Sequence, residues 1–299
     1  MVLSLKPFSS LSVLRAFGGV LVFTMRTSTR LLLSLMLMML GGLLPPAAPA
    51  QISNGSAKAT SPDDKAESVI RRSIEAVGGS NYLQVKTTVG RGFFTTYKEG
   101  ISQLPARFVD YIVFPDKERT EFTGGGIRVV QANLGEKGWL YDGATKSLQD
   151  MKSAQIEDFK RAVRTSVDNL LRGWWRKEGA ALSYVGRREA GLAKRNETVR
   201  LTYPDGFWIE YELGAKDGMP AKVIYKRNRT KPDSDETEEI TEEDRLAKFI
   251  IVDGITAAFV VDHFINGVQT SRINYESIEY NRPLADSFFT KPDNIKALK

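Results

Sequence analysis

His263 is the single histidine of this 299-residue chain, and cysteine is absent. It lies in FVVDHFING, an alternating run that enters an Asn-Gly turn. A base built on this one ring needs a nucleophile and an orienting acid from elsewhere in the chain. A multi-histidine metal site is excluded, and alone the ring reads as an ordinary strand residue. Without cysteine there is neither a thiol nucleophile nor a disulfide framework. The acids Asp233, Asp235, Glu236, Glu238, Glu239, Glu242, Glu243 and Asp244 raise the question of calcium. PDSDETEE lacks the glycine and the spaced bidentate glutamate of a calcium loop, and an alternating strand splays such oxygens apart. A solvated hairpin is the expectation. Acid pairs elsewhere leave a carboxylate-pair hydrolase open, although no pair is singled out by its surroundings. Gly124-Gly125-Gly126 precedes no Lys-Ser/Thr and opens no helix, so it is read as a bulged hairpin tip rather than a phosphate loop. The reading is therefore a non-enzyme, with no catalytic residues, metal ligands or cofactor.

What would position such residues is a mixture of helix and strand. Ser61 is a plausible N-cap, Pro62 suits the first helical position, and Asp63 and Asp64 complement the dipole. Ala66, Val69, Ile70, Ile74 and Val77 then share one face, and Gly78-Gly79 ends the helix. From Thr87 the period becomes two. RFVDYIVF (107–114) is largely apolar on both faces, and 196–203 and 207–213 alternate as half-buried strands. Turns are expected at Pro204-Asp205-Gly206, Lys216-Asp217-Gly218, Asp253-Gly254 and Asn266-Gly267, so neighbouring strands form an antiparallel meander. Between Asp150 and Gly179 the helical period returns through Ile156, Phe159, Val163, Val167, Leu170, Leu171 and Trp174. Trp174-Trp175-Arg176-Lys177 closes that helix, and one of the two indoles must sit at its rim. The order helix, strands, helix, strands indicates an α+β fold.

The N-terminal part reads differently. Arg26 and Arg30 precede the apolar run 31–44, and PPAAPA ends in Ala48-Pro49-Ala50, the pattern of a cleavable signal peptide over 25–50. Glycine and proline pairs break the run, which is too short to span a bilayer. Residues 1–24 fit an upstream mis-assigned start, with translation from Met25. Residues 51–60 read as a disordered leader and 61–299 as one domain. Loss of Lys6, Arg15, Arg26 and Arg30 leaves 38 of the 42 basic residues against 36 acidic ones. Such a balance argues against a nucleic-acid partner. Without a cysteine at the cleavage site, the exported product is expected in the periplasm, soluble and free of a lipid anchor.

EAVGG (75–79), PDKERTEF (115–122), GEKGWLYDG (135–143), YPDGFWIEYEL (203–213), VDGIT (252–256) and NRPLADSFFTKP (281–292) occur in that order. Together they resemble exported proteins of the outer-membrane lipoprotein-sorting-like family, similar to the periplasmic carrier LolA. The resemblance implies an unclosed antiparallel β half-barrel with helices covering its concave face. It also implies a cavity for the acyl chains of a lipid or lipoprotein, with donor and acceptor proteins at the inner and outer membranes. The expected cavity wall is Phe94, Trp139, Val199, Leu201, Phe207, Ile209, Tyr211 and Tyr225. The expected helical lid is Val69, Ile70, Phe159, Val163, Val167, Leu170 and Trp174. Two other readings stay open: an envelope structural or regulatory protein that binds a partner along a sheet edge, and the hydrolase above.

Overall fold

The computed structural model describes residues 62–191, 193–231 and 235–298. The upstream segment, the signal peptide, the leader and Ser61 lie outside them. Helix α1 (Pro62–Val77) buries Ala66, Val69, Ile70 and Val77, as its spacing predicts. The chain turns at Gly78 into the short α2 (Gly79–Leu83). Then come β1 (Thr87–Lys98), β2 (Ile101–Ser102), β3 (Ala106–Val113), β4 (Lys117–Gly124), β5 (Ile127–Leu134), β6 (Lys137–Asp142) and β7 (Ser147–Asp150). Helices α3 (Ser153–Thr165) and α4 (Val167–Leu171) and a 3-10 turn (Trp174–Glu178) separate these from the second set. That set is β8 (Ala181–Glu189), β9 (Arg195–Thr202), β10 (Trp208–Gly214), β11 (Pro220–Thr230), β12 (Thr237–Val252), β13 (Ile255–Ile265) and β14 (Val268–Tyr280).

All strands belong to one 14-stranded antiparallel sheet that does not close. Its order is β7-β6-β5-β4-β3-β1-β14-β13-β12-β11-β10-β9-β8, with β2 paired to the outer end of β1. Each half is a run of local hairpins, and β1 joins them by pairing with β3 on one side and β14 on the other. The Asp253-Gly254 and Asn266-Gly267 turns form where expected, with positive φ at all four residues. The Gly124–Gly126 tip is tighter than the expected bulge. Gly124 pairs directly with Ile127, and Gly125 and Gly126 (φ 58° and 79°) make a two-residue turn.

Alternation sends one side of each strand toward the helices. Val199, Leu201, Ile209, Tyr211, Val223 and Tyr225 pack with Val69, Ile70, Leu170 and Trp175 in the main core. Each such side chain stabilises the fold by about 1.5–3 kcal/mol. The other side of β5 and β6 is covered by the C-terminal segment, where Val130, Ala132, Trp139 and Tyr141 meet Leu298.

The single helix expected between Asp150 and Gly179 is interrupted. Ser166 leaves helical geometry (ψ 153°), donates from its hydroxyl to the Val163 carbonyl and accepts from the Asn169 amide, so it ends α3 and caps α4. A second break at Gly173 (φ 72°) rotates the 3-10 turn relative to α4. Trp175 therefore enters the core, donating to the Leu170 carbonyl at 3.2 Å, and Trp174 is left half-buried. An unbroken helical spacing would assign the inward place to Trp174.

Gly92 of β1 lies at a register shift against β14. A Cβ there would lie 2.0 Å from the Asn274 carbonyl oxygen and 2.8 Å from the Tyr275 Cα, both backbone atoms. Gly92→Ala is expected to cost about 1–3 kcal/mol through displacement of this pair. A denaturant midpoint indistinguishable from wild type would refute the close approach.

Candidate functional site

A cavity of about 240 Å³ lies between the helices and the covered face of the sheet. Val77 and Val85, Val167 and Leu171, and Val223, Leu246, Val261 and Ile278 give it mainly apolar walls. Its helical side is fastened by Arg172, at the end of α4. The guanidinium donates to Asp168 Oδ1 (2.7 Å) and to the carbonyls of Val85 (3.0 Å) and Tyr82 (3.1 Å). It also lies over the rings of Phe114 (4.3 Å) and Tyr82 (4.6 Å). Tyr82 Oη donates to Asp168 Oδ1 at 2.7 Å. Burial, followed by the Asp168 charge, pushes the phenol well above its ordinary range, so it remains a neutral donor. This latch ties α2 to α4 beside the cavity.

Two polar rows interrupt the covered face. On β3–β5 the register aligns Asp110 with Thr120 and Gln131, and in the next row Ile112 with Glu118 and Asn133. All five polar residues are buried, Asn133 completely. Thr120 Oγ1 donates to Asp110 Oδ1 at 2.8 Å, and the Asp110 and Glu118 carboxyls hold each other through a hydrogen bond. Burial raises the Asp110 carboxyl from 3.8 to about 6, against the lowering effect of these hydrogen bonds. Asp110 borders the large cavity. Glu118 borders a smaller one of about 50 Å³, which Phe159, Ala162 and Val163 of α3 roof over.

The second row contains His263, which sequence reasoning took for an ordinary strand residue. Asp244, His263 and Ser271 are register partners on β12, β13 and β14. His263 Nδ1 meets Asp244 Oδ1 at 2.7 Å, and its Nε2 lies 3.9 Å from Glu242 Oε2. Glu242 also accepts from Tyr225 Oη and from Arg227 Nε. Nε2 has no hydrogen-bond partner among the described residues, so the ring does not hold Ser271 as a base holds a nucleophile. The acidic run is a hairpin in which Arg229–Glu238, Lys226–Glu239 and Lys231–Glu236 pair at the surface. Alternation turns Glu242 and Asp244 inward, contrary to the expectation of a wholly solvated run. Among the described residues no group of three or more acids, cysteines or histidines is placed to hold a metal ion.

An open groove of about 890 Å³ runs between α3 and the turns at 116, 135 and 205. It is lined by paired charges, among them Arg164–Asp205 (2.7 Å) and Lys160–Glu136 (2.6 Å), and also by Phe159, Val163, Phe207 and Trp208, so the first three of these, expected in lid and wall, border it too.

Of the expected wall, Val199, Leu201, Ile209, Tyr211 and Tyr225 lie together on the helix-covered face, with Phe207 half-buried beside them. Phe94 is on the same face in a second cluster with Phe108, Phe122 and Ile273. Trp139 is on the other face. Its register partner is Ala132, its indole donates to the Phe289 carbonyl (2.7 Å), and it packs under the C-terminal segment. Of the expected lid, Val69, Ile70 and Leu170 are core and Val167 lines the cavity. Phe159 and Val163 roof the small void, with half-buried Trp174 at its side. Sequence reasoning missed Asp110, Glu118, Gln131 and Asn133; the one signal was an acid at the centre of the apolar run 107–114.

No protein-family model matches the sequence, and no curated protein matches it. Among solved structures the chain is similar to a DUF1329 family protein from Desulfovibrio piger, with TM-score 0.51, 11% identity, and 78% of this chain and 99% of that one covered. It is similar to an outer membrane lipoprotein-sorting protein domain from Vibrio parahaemolyticus, with TM-score 0.51, 12% identity and coverage of 77% and 97%. A LolA superfamily protein from Nitrosomonas europaea aligns with TM-score 0.49, 12% identity and coverage of 76% and 97%. Identities this low speak for the fold alone. That fold is an unclosed antiparallel half-barrel with helices on one face, as the resemblance implied.

Proposed function

We propose that this chain is a carrier of the cell envelope, periplasmic after export, that shelters the acyl chains of a lipid or lipoprotein under its helices and catalyses nothing. The observation that carries the reading is the apolar cavity between latch and sheet. At about 240 Å³ it is smaller than the roughly 300–1,000 Å³ of ordinary ligand sites, and on this reading it corresponds to a closed form. Admitting a long chain requires α1, α2 and α4 to lift, which the Arg172 latch resists. Each methylene buried contributes about 0.8 kcal/mol, enough over one acyl chain to offset that opening. Loading and unloading would fall to membrane-bound donor and acceptor proteins. Among the described residues no helix is long and apolar enough to cross a membrane.

The hydrolase reading finds a raised carboxyl at Asp110, but its geometry is unfavourable. Asp110 and Glu118 are in direct hydrogen-bond contact, whereas glycosidase carboxyls stand roughly 5–9.5 Å apart around the bond they cleave. The partner-binding reading draws on the free outer edges of β7 and β8.

Native mass spectrometry of protein purified from a bacterial periplasm, with solvent extraction afterwards, tests the proposal. A bound species of lipid or acyl-peptide mass is expected. A clean unliganded mass, with no uptake of offered phospholipid or lipopeptide, would favour a protein partner instead. Val261→Trp should fill the cavity and reduce retained lipid at least tenfold, at a stability cost of about 1–3 kcal/mol. An undiminished lipid load in the folded variant would sink the cavity assignment.

A further inference from the structure

The polar row on β3–β5 is out of place in a container for acyl chains. Asp110 and Glu118 share a hydrogen bond that leaves Asp110 Oδ2 without a partner among the described residues, and Gln131 Nε2 and both Asn133 amide atoms, Nδ2 and Oδ1, have none either. Asn133 is 0% exposed and Gln131 1%. A buried amide left without hydrogen bonds costs about 1–3 kcal/mol, so three unmet amide atoms side by side describe a place waiting for a polar occupant. The strands here are spaced about 4.7–4.9 Å apart, so the row from β3 to β5 spans roughly 10 Å. Its inner end, Asp110, borders the apolar cavity. On one flank stand the rings of Phe108 and Phe122, 6.4 Å apart. At the outer end Gly138 closes the row: a Cβ there would lie 2.5 Å from Met151 Sδ, 2.8 Å from the Ala132 carbonyl oxygen and 3.2 Å from Asn133 Oδ1.

We propose that this row is a head-group subsite for an uncharged amphiphile carrying hydroxyls, whose acyl chain extends from Asp110 into the 240 Å³ cavity. The inference rests on the carrier reading and specifies its cargo. The unmet groups decide the chemistry. They include two amide N–H donors and one carbonyl acceptor, next to a carboxyl pair with lone pairs to spare. A phosphate or carboxylate head can only accept when ionised, and would face the Asp110–Glu118 pair. An ammonium can only donate, and would leave Gln131 Nε2 and Asn133 Nδ2 unmet. A hydroxyl does both, donating once and accepting twice. Adjacent hydroxyls, on a glycerol or a sugar ring, match amide and carboxyl groups arranged in a row.

The test compares four probes with one chain length, namely a monoacylglycerol, an alkyl glucoside, a fatty acid and an alkylamine, on wild-type protein and on Asn133→Leu and Gln131→Leu. Wild type is expected to bind the hydroxyl-bearing probes at least tenfold more tightly than the charged ones, and the better of the two identifies the head as glycerol-like or sugar-like. Asn133→Leu should remove that preference and leave fatty-acid binding unchanged. The same substitution should raise the melting temperature, because it deletes two unmet buried atoms. Equal affinity for all four probes overturns the subsite and leaves the carrier intact. So does an undiminished preference in Asn133→Leu, which would mean that ordered waters satisfy these groups. Failure of every probe to bind overturns the carrier reading and this subsite with it. If Asn133→Leu fails to fold, Gln131→Leu and Gln131→Glu carry the same comparison. An added carboxylate at 131 should weaken the hydroxyl-bearing probes and strengthen only the amine.

Discussion

Trp139→Ala should destabilise the protein by about 3–5 kcal/mol while leaving lipid retention per folded molecule unchanged. The indole is 2% exposed, lies 5.6 Å from the Arg119 guanidinium and donates to the carbonyl of Phe289, itself 0% exposed. Truncation leaves a large void beneath the C-terminal segment and an unmet carbonyl, which by itself costs about 1–3 kcal/mol. Against a typical total of about 5–15 kcal/mol this is a severe loss. Denaturant midpoints measure the first half of the expectation, and extraction of lipid from the folded fraction measures the second. A stable variant that had lost its lipid would return Trp139 to the cavity wall and reverse the assignment of faces.

Asp110→Asn should make the protein more stable above about pH 6 and flatten its pH profile. The carboxyl has its ordinary value of 3.8 in the unfolded chain and is raised to about 6 in the fold, chiefly by burial. The folded state therefore holds the proton more tightly. The stability gained from holding it is fully present below pH 3.8 and disappears as the pH rises through about 6. Two units of difference correspond to about 3 kcal/mol. Of the groups facing Asp110, Thr120 and Glu118 oppose the shift through their hydrogen bonds and buried Tyr275 supplies no charge, so burial alone sets its direction. In the variant, the new amide can donate to Glu118 and accept from Thr120, so the pair survives without a titrating proton. Urea unfolding at pH 4, 6 and 8 provides the measurement. A variant whose stability runs parallel to wild type across that range would show that Asp110 is not held protonated by the fold.

Features of this molecule that depend on neighbours in sequence were readable in advance. The Asn266-Gly267 and Asp253-Gly254 turns and the buried stripe of α1 each arise from a local pattern of residue types. So does the alternation in β9 and β10. Features set by pairing across strands were not. KGWLYD buries Trp139, Leu140 and Tyr141 in succession, so alternation cannot say which of them faces the helices. Asp110 meets Glu118, and His263 meets Asp244, only because hairpin registers align them. The break at Ser166 depends on a side-chain bond back to Val163, which competes with an otherwise unbroken helical period.

The position of β1 between β3 and β14 also governs how the molecule must be made. Hairpins within each half close over short loops and can form as soon as their strands exist. The seam between the halves joins residues such as Arg91 and Glu279, 188 positions apart, and cannot form until nearly the whole chain has been delivered. Refolding should therefore show a slow phase that contacts along β1 and β14 control and hairpin turns do not; a rate insensitive to Gly92→Ala would argue otherwise. Until β14 arrives, β1 presents a bare edge to whatever strand is nearest. A chain cut short within β14 would consist of two locally sound half-sheets with mutually complementary open edges. Such species are prone to join edge to edge with their own copies, so early termination of this protein favours assembly over simple loss of fold.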